Sequence, residues 1–398
     1  MGKGILLIMD GLGDLQDGRG RTPLSAAKKP NMDRMAKGGI LGMLSPIGRG
    51  NVPGSDTSHL TILGYPYWEF YCGRGPLEAL GAGIKLQKGD VALRANFATV
   101  RNGRIVDRRA GRMPTELGKK LQERIGKMNI EGVEATFFST VEHRGVVVMR
   151  GGGLSADISS TDPHELGPVL ESSTFKQGAE KTARVLNQFT KKAMELLSKA
   201  PENKGRGMPA NAVLCRGAGV YREVQPFESM HGIRGACVAG GALYKGVAKY
   251  IGMGLVEASG ATATKDTDLK GKGNAALKAL QSHDFVFVHV KATDSFSHDG
   301  DFEGKRKMIE KVDRELVPLL LESGENIIIT GDHSTVCKLG KHTGDEVPLL
   351  AFGPGFRTDA QGKFSELACM GGGLGHIDGW DVMPIMLNAM GKARMVGA

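Results

Sequence analysis

Cysteine and long apolar runs are scarce in this sequence. Its five cysteines are scattered and form no Cys-x-x-Cys pair, which argues against a disulfide framework and against a zinc ribbon. No apolar run reaches the roughly eighteen residues that a membrane span needs, and the chain begins without a basic-then-apolar signal segment. We therefore expect a cytoplasmic protein with reduced thiols and no membrane contact.

Aromatic residues are also few, at 6%, whereas 52 Lys+Arg against 43 Asp+Glu leave a net charge of +9. An excess of positive charge suits a small anionic substrate or weak nucleic-acid contact. Because no basic run is interleaved with aromatic residues, we expect the small anionic substrate and no nucleic-acid partner. The patterns predict no particular oligomeric state.

The glycine-rich loop Gly48–His59 lacks the lysine of a Walker motif and the Gly-x-Ser-x-Gly pattern of serine hydrolases. Phosphate binding by a P-loop and serine-hydrolase chemistry are therefore not favoured. Ser55 has two interpretations: the N-cap of a helix that begins near Asp56, or a nucleophile. Both can hold, because a helix N-terminus also favours a phosphate attached to its first residue.

Apolar strand patterns alternate with helical patterns at both ends of the chain. Continuous apolar runs at 4–9, 285–290, 326–330 and 348–352 are typical of strands buried on both faces. Helical patterns between strands indicate a doubly wound α/β sheet with helices on both faces. At 398 residues, the chain is long enough for two domains.

The middle of the chain has a different pattern. Asn102-Gly103 between two apolar runs predicts a hairpin, and residues 133–140 and 145–149 predict a second strand pair. Residues 114–128 and 177–199 predict helices, the second of them amphipathic. We therefore predict a smaller α+β domain at 73–229, inserted into an α/β core that is formed by 1–72 and 230–398.

Acidic and histidine side chains follow three of the apolar strands. In such sheets ligands gather at the carboxyl ends of the strands, and converging aspartates repel one another unless cations bind between them. One ion would be held by Asp294, His298 and His342, and another by Asp10, Asp332 and His333, with a position left for Ser55. Carboxylate and imidazole ligands together suit Mn²⁺, Zn²⁺, Co²⁺ or Fe²⁺, and Mg²⁺ less well.

The candidate residues occur along the chain in the order Asp10, Ser55, Asp294, His298, Asp332, His333, His342. A set of residues in that order resembles the alkaline phosphatase superfamily and, more closely, the archaeal-type 2,3-bisphosphoglycerate-independent phosphoglycerate mutases. The resemblance covers essentially the whole chain. It is carried by the stretches Met9–Asp14, Pro53–His59, Thr161–His164, Arg216–Gly219 and Gly372–His376. Bacterial members of the wider family have a glutamate after the serine, where this chain has Asp56.

The resemblance implies a role for each candidate residue. Ser55 would be the nucleophile that becomes phosphorylated, and Asp162 the acid/base at the glycerate hydroxyls. His143 and Lys245 would contact phosphate, and Arg216, with Arg144 as a further candidate, would bind the carboxylate. Two divalent metal ions are implied, with Mn²⁺ first and Co²⁺, Zn²⁺ or Mg²⁺ as alternatives, and no 2,3-bisphosphoglycerate.

The resemblance therefore predicts interconversion of 3-phosphoglycerate and 2-phosphoglycerate in glycolysis and gluconeogenesis, with the insertion acting as a lid. A phosphopentomutase or a metal-dependent phosphatase of the same superfamily is the alternative. A basic nucleic-acid-binding protein is a remote alternative, because that function would not explain the presence of the candidate metal ligands. We expect His59, His164 and His376 to make structural hydrogen bonds, and His289 to be a core histidine.

Overall fold

The computed structural model describes residues 2–395 and Gly397. The strands are β1 (Gly4–Met9), β2 (Ile40–Ser45), β3 (Val91–Arg101), β4 (Arg104–Asp107), β5 (Lys127–Ile130), β6 (Val133–Ser139), β7 (Arg144–Arg150), β8 (Gly167–Pro168), β9 (Ala212–Val220), β10 (Gly235–Val238), β11 (Gly254–Leu255), β12 (Phe285–Val290), β13 (Asn326–Thr330), β14 (Ser334–Val336), β15 (Lys341–Thr343), β16 (Val347–Phe352) and β17 (Gly375–Asp378).

The helices alternate with these strands. They are α1 (Pro23–Ala26), α2 (Pro30–Gly38), α3 (Ser55–Ile62), α4 (Tyr67–Phe70), α5 (Arg74–Gly81), α6 (Thr115–Ile125), α7 (Glu180–Ser198), α8 (Phe227–His231), α9 (Ala242–Tyr250), α10 (Leu269–Leu280), α11 (Ala292–His298), α12 (Phe302–Glu315), α13 (Val317–Leu321), α14 (Glu366–Met370) and α15 (Val382–Ala389), with 3₁₀ turns at Pro201–Asn203 and Gly379–Asp381.

The chain forms two structural units, one of them Cys72–Glu223 and the other made of the residues before and after it. The sequence patterns placed the inserted domain at 73–229, so the two descriptions differ mainly at the C-terminal boundary. The residues after Glu223 belong with the flanking unit because Phe227 stacks on Phe285 of β12, with 5.6 Å between ring centroids. The hydroxyl of Tyr65 also donates to the carbonyl of Gln225.

The flanking unit is built on an eight-stranded sheet in the order β11-β10-β12-β1-β13-β16-β2-β17. Apolar residues of β1, β12 and β13 pack on one face against α2, α10, α12 and α13. On the other face Phe227 of α8 stacks on Phe285 of β12, and the side chain of Met386 in α15 packs against Gly4 of β1. Helices therefore cover both faces, which confirms the predicted α/β class.

One strand of this sheet runs against the parallel pattern. β16 is antiparallel to both of its neighbours, β13 and β2. A parallel return needs a crossover connection, usually a helix, that carries the chain back across a face of the sheet. Between β13 and β16 the chain makes only the short β14–β15 ribbon, so it returns in the opposite direction.

The Cys72–Glu223 unit contains a seven-stranded antiparallel sheet in the order β5-β6-β7-β3-β4-β8, with β9 paired to β3. Helices α6 and α7 cover one face, where Phe97, Phe137 and Phe189 are fully buried. The predicted hairpin and α+β class are confirmed. The predicted helix 114–128 is wrong at its end, because Gly126 has a φ of 62° and terminates α6, and β5 begins at the next residue.

Candidate active site

Three neighbouring strands of the flanking unit deliver the candidate ligands. β1 pairs in parallel with both β12 and β13, so the carboxyl ends of the three strands lie side by side. Asp10 follows β1, Asp294 lies in the first turn of α11 after β12, and Asp332 and His333 follow β13. All four side chains are buried, so this edge of the sheet holds a dense set of potential ligand atoms.

Site A comprises Asp10, Asp332 and His333, whose ligand atoms all lie within 4.8 Å of one another. Nε2 of His333 is 3.5 Å from Oδ1 of Asp10 and 3.2 Å from Oδ2 of Asp332. That Asp332 oxygen is buried without a hydrogen-bond partner. An imidazole nitrogen and two carboxylates that converge in a buried space form a donor set that fits a divalent cation.

Site B comprises Asp294, His298 and His342. Oδ1 of Asp294 lies 3.3 Å from Nε2 of His298 and 3.6 Å from Nε2 of His342. The Nδ1 atoms of the two histidines bond the carbonyls of Gly340 and Pro53, which turns both Nε2 atoms toward Asp294. His333 also lies within 4.8 Å of Asp294 and His342, so it is close to both sites.

Ser55 is the first residue of α3, and Gly54 is the N-cap. The Ser55 side chain makes no capping bond, so the N-cap interpretation is wrong. Its hydroxyl oxygen instead lies 3.1 Å from Nε2 of His333, beside site A. The neighbouring Asp56 is buried and accepts a hydrogen bond of 2.6 Å from the Tyr71 hydroxyl.

Lys291 balances the negative charge between the two sites. Its Nζ lies 2.9 Å from Oδ1 of Asp10 and 2.5 Å from Oδ2 of Asp294. Burial alone would raise the pKa of Asp294, but hydrogen bonds with His298 and His342 and the charge of Lys291 hold that pKa far below its usual value.

The pKa values of Asp10 and Asp332 shift in opposite directions, although burial acts to raise both. Burial favours the neutral form of Asp10, but the charge of Lys291 and a hydrogen bond from His289 outweigh it, so the pKa of Asp10 is lowered. Burial and the charge of Asp10 raise the pKa of Asp332. Burial lowers the pKa of His333, which keeps its imidazole neutral and able to act as a ligand.

Sequence reasoning missed several residues that contact Asp10. Oδ2 of Asp10 accepts hydrogen bonds from the Tyr244 hydroxyl at 2.5 Å and from Nε2 of His289 at 2.9 Å. The expectation that His289 is a core histidine is therefore incomplete, because it is buried yet bonded to a candidate ligand. Lys291 was also missed, although it stands only three residues before Asp294.

The remaining histidines and Lys245 make local contacts. Nδ1 of His59 lies 2.6 Å from the Ser55 carbonyl, and Nδ1 of His376 lies 2.6 Å from Oε2 of Glu346. The amide of His164 donates to Asp162. Lys245 lies on α9, where its Nζ is 3.1 Å from Glu257.

In the Cys72–Glu223 unit, the predicted residues His143, Arg144 and Arg216 line a cavity of about 300 Å³. The lining residues are Arg94, Asn96, Arg108, Arg109, Arg112, Glu142, His143, Arg144 and Arg216. Burial, together with repulsion from neighbouring arginines, lowers the pKa of Arg94 to about 10. Such an excess of positive charge favours an anionic ligand. Arg94, Arg108, Arg109 and Arg112 were not singled out from the sequence, because they are spread over β3 and the segment after β4.

Asp162 lies beside this cavity, where Arg108 and Arg216 both bond its carboxylate. Nε and Nη2 of Arg108 bond its two carboxylate oxygens at 2.9 and 2.8 Å, and Nη1 of Arg216 bonds the second oxygen. Burial would raise the pKa of Asp162, but these bonds and the amide of His164 lower it. Asp162 is therefore ionised, and it fixes the orientation of Arg216.

Comparison with known proteins identifies the family. A profile described as 2,3-bisphosphoglycerate-independent phosphoglycerate mutase matches residues 36–203. A protein named 2,3-bisphosphoglycerate-independent phosphoglycerate mutase 1 from Methanocaldococcus jannaschii is 43% identical, over 100% of this chain and 99% of its own length. A mutase of that description from Thermococcus kodakarensis is 42% identical with the same coverage. The chain belongs to this family of mutases.

Two solved structures resemble this member of the mutase family along its length. A protein from Pyrococcus horikoshii matches with a TM-score of 0.87 and 38% identity, over 100% of this chain and 99% of its own. The cofactor-independent phosphoglycerate mutase from Thermoplasma acidophilum matches with a TM-score of 0.71 and 34% identity, over 98% and 100%. The chain is thus an enzyme of the isomerase class, and these relatives do not favour the alternative functions.

Along residues 2–395 and Gly397, no helix combines the length and apolar character that crossing a membrane requires.

Proposed function

We propose that this chain interconverts 3-phosphoglycerate and 2-phosphoglycerate by passing the phosphoryl group through Ser55, as a cytoplasmic step of glycolysis and gluconeogenesis. The observation that carries the proposal is the position of the Ser55 hydroxyl, 3.1 Å from Nε2 of His333 and beside the carboxylates of site A. A buried serine next to a candidate cation site suits a nucleophile. Membership of the mutase family supports the choice of reaction.

Two divalent cations are part of the proposal. Site A, with Ser55 as a further ligand, would hold one, and site B the other. The mixed carboxylate and imidazole donors favour Mn²⁺, with Co²⁺, Zn²⁺ and Mg²⁺ as alternatives. Such ions lower the pKa of a bound hydroxyl and offset the charge of a phosphoryl group in transfer. No 2,3-bisphosphoglycerate is needed, because Ser55 keeps the phosphoryl group between the two transfers.

The two transfers balance in atoms and protons. In the first, the Ser55 oxygen bonds to phosphorus, the bond from phosphorus to O3 of glycerate breaks, Ser55 loses a proton and O3 gains one. In the second, O2 of glycerate loses a proton and bonds to the same phosphorus, the bond from phosphorus to the Ser55 oxygen breaks, and that oxygen takes up a proton to restore the hydroxyl. We assign the proton transfers at the glycerate hydroxyls to Asp162. Its lowered pKa means that it starts ionised, so the proton that O3 gains in the first transfer is the one that Ser55 loses, passed on by Asp162. In the second transfer Asp162 accepts the proton of O2.

The glycerate must stay bound between the transfers, because water is an alternative acceptor. Arg216 is our candidate for its carboxylate and Arg144 a further one, while His143 and Lys245 are candidates for phosphate. The six arginines around the cavity of the Cys72–Glu223 unit support an anionic ligand there. A hydroxyl that is held in place can reach an effective concentration of about 10⁵–10⁸ M. We propose that this unit acts as a lid that excludes water.

The direct test supplies each metal separately. Protein stripped with a chelator is given Mn²⁺, Co²⁺, Zn²⁺ or Mg²⁺ in turn, then 3-phosphoglycerate without 2,3-bisphosphoglycerate, and 2-phosphoglycerate is measured. We expect no product from the stripped protein and turnover with Mn²⁺ or Co²⁺. Product from the stripped protein would refute metal dependence, and release of inorganic phosphate alone would identify a phosphatase.

A further inference from the structure

The hydroxyl of Thr335 touches a ligand of each candidate site. Its Oγ1 lies 2.8 Å from Oδ1 of Asp294, in site B, and 2.9 Å from Nδ1 of His333, in site A. Thr335 is fully buried in β14, two residues after His333 and opposite His342 of β15. One side chain thus connects the two ligand groups.

The hydrogen-bonding capacity of a hydroxyl decides the direction of both contacts. A threonine hydroxyl has one proton to donate and accepts through its lone pairs. The carboxylate of Asp294 faces the ammonium of Lys291 at 2.5 Å, so it accepts, and Thr335 donates to it. Nδ1 of His333 must then carry a hydrogen and donate to Thr335. In a neutral imidazole this leaves the lone pair on Nε2, the nitrogen that faces Ser55 and site A.

The backbone holds this hydroxyl in place. The amide of Thr335 donates to the carbonyl of Gly13 at 3.1 Å, and its carbonyl accepts from the buried Nζ of Lys305 at 3.0 Å. Gly11 has a φ of 63°, and a Cβ there would lie 2.6 Å from the Thr335 oxygen and 2.9 Å from Oδ1 of Asp294. The glycine therefore leaves the space that the hydroxyl needs.

We infer that Thr335 is a positioning residue shared by the two sites: its hydroxyl presents Nε2 of His333 to a cation at site A and orients Oδ1 of Asp294 at site B. The inference rests on the proposed metal-dependent transfer. It goes beyond that proposal because it makes cation binding at both sites depend on one uncharged side chain that would not itself touch a cation.

Two variants of Thr335 and one control variant test the role of the Thr335 hydroxyl. Thr335→Val removes it and keeps the shape of the side chain, while Thr335→Ser keeps it and removes the methyl group. Thr267→Val is the matched control, because Thr267 is equally buried but its hydroxyl bonds the Thr262 carbonyl, away from both sites. Mn²⁺ binding is measured by electron paramagnetic resonance without substrate, and the melting temperature of chelated protein reports folding.

We expect Thr335→Val to bind Mn²⁺ about 10- to 100-fold more weakly, as is typical when a partner of a ligand is lost. Thr335→Ser and Thr267→Val should bind like the wild type. Unchanged binding by Thr335→Val, or equal weakening in Thr335→Ser, would overturn the inference. If Thr335→Val does not fold, Thr335→Ala against Thr335→Ser gives the same comparison. Wild-type protein that binds none of Mn²⁺, Co²⁺, Zn²⁺ and Mg²⁺ would instead refute the metal-dependent transfer of the proposed function.

Discussion

The hydroxyl oxygen of Ser55 lies 3.1 Å from Nε2 of His333, although 278 positions separate the two residues. Ser55 opens α3 after a glycine-rich loop, and His333 follows the central strand β13. The contact therefore exists only when the loop lies over the carboxyl end of the sheet. It joins the candidate nucleophile to a candidate ligand of site A.

Removing a carboxylate from either site should abolish catalysis. Asp294→Ala and Asp332→Ala each delete a candidate ligand, so Mn²⁺ binding and turnover should fall by about 100-fold or more, beyond the typical loss for a residue that only orients a ligand. Calorimetry with Mn²⁺ and the mutase assay measure both quantities. Asp299→Ala is the control, because that aspartate lies on the surface and pairs with Lys265. Near-normal Mn²⁺ binding in both site variants would contradict the ligand assignment.

Lys291→Met should tighten Mn²⁺ binding, because the ammonium and a cation compete for the same carboxylates of Asp10 and Asp294. One unit charge at about 4 Å is worth about 4 kcal/mol at an effective dielectric constant of about 20. We therefore expect at least about a tenfold lower dissociation constant. Turnover should fall, since the lost positive charge would stabilise a phosphoryl group held by the proposed cations. Lys307→Met, at an exposed position of α12, is the control, and weaker Mn²⁺ binding in Lys291→Met would refute the competition.

The sequence predicts the ligands of this site better than their surroundings. Asp10, Asp294 and Asp332 each follow an apolar run, and the rule for the carboxyl ends of strands brings them together. His289 was harder to interpret because β12 is buried on both faces, so no alternation shows which side chains point toward Asp10. Tyr244 and Lys291 contact Asp10 from segments that are distant in the sequence, and no local pattern encodes such contacts.

The inserted unit shows a second limit of sequence reasoning. β9 carries Arg216, but its sequence includes Gly217 and Gly219, and glycine weakens the pattern of a strand. Its pairing with β3 brings Arg216 opposite Arg94, which helps to form the arginine cavity. The residues of that cavity come from distant positions, so only the folded sheet shows them as one cluster.

Arg216→Ala should convert part of the mutase activity into hydrolysis. Losing the candidate carboxylate ligand lets glycerate leave before the second transfer, so inorganic phosphate should rise relative to 2-phosphoglycerate. Asp162 keeps its two-point contact with Arg108, which preserves the local structure. Both products are measured in one reaction with 3-phosphoglycerate. Arg124→Ala, which removes a surface pair with Glu202, is the control, and a constant product ratio in Arg216→Ala would show that Arg216 does not retain glycerate.

Acid should destabilise the chelated protein partly through His59. Burial lowers the pKa of His59 from 6.5 to about 4. Between these values the unfolded chain binds a proton that the folded protein lacks, so the free energy of unfolding falls as the pH drops. The contribution has a slope of at most about 1.4 kcal/mol per pH unit. His59→Gln cannot titrate and keeps a donor for the Ser55 carbonyl.

Urea unfolding of wild type and His59→Gln from about pH 4.5 to about pH 6.5, between the folded and the unfolded pKa of His59, measures this effect. The wild type should lose more stability than the variant over this range. Parallel pH dependence in the two proteins would mean that His59 is protonated in the folded state.

The most direct test of the account is intact-protein mass spectrometry after a rapid acid quench. Wild-type protein with Mn²⁺ and 3-phosphoglycerate should carry one phosphoryl group, which peptide mapping places on Ser55. Ser55→Ala should fold and show neither the adduct nor mutase turnover. A phosphoryl adduct on Ser55→Ala, or normal turnover without the serine, would contradict transfer through Ser55.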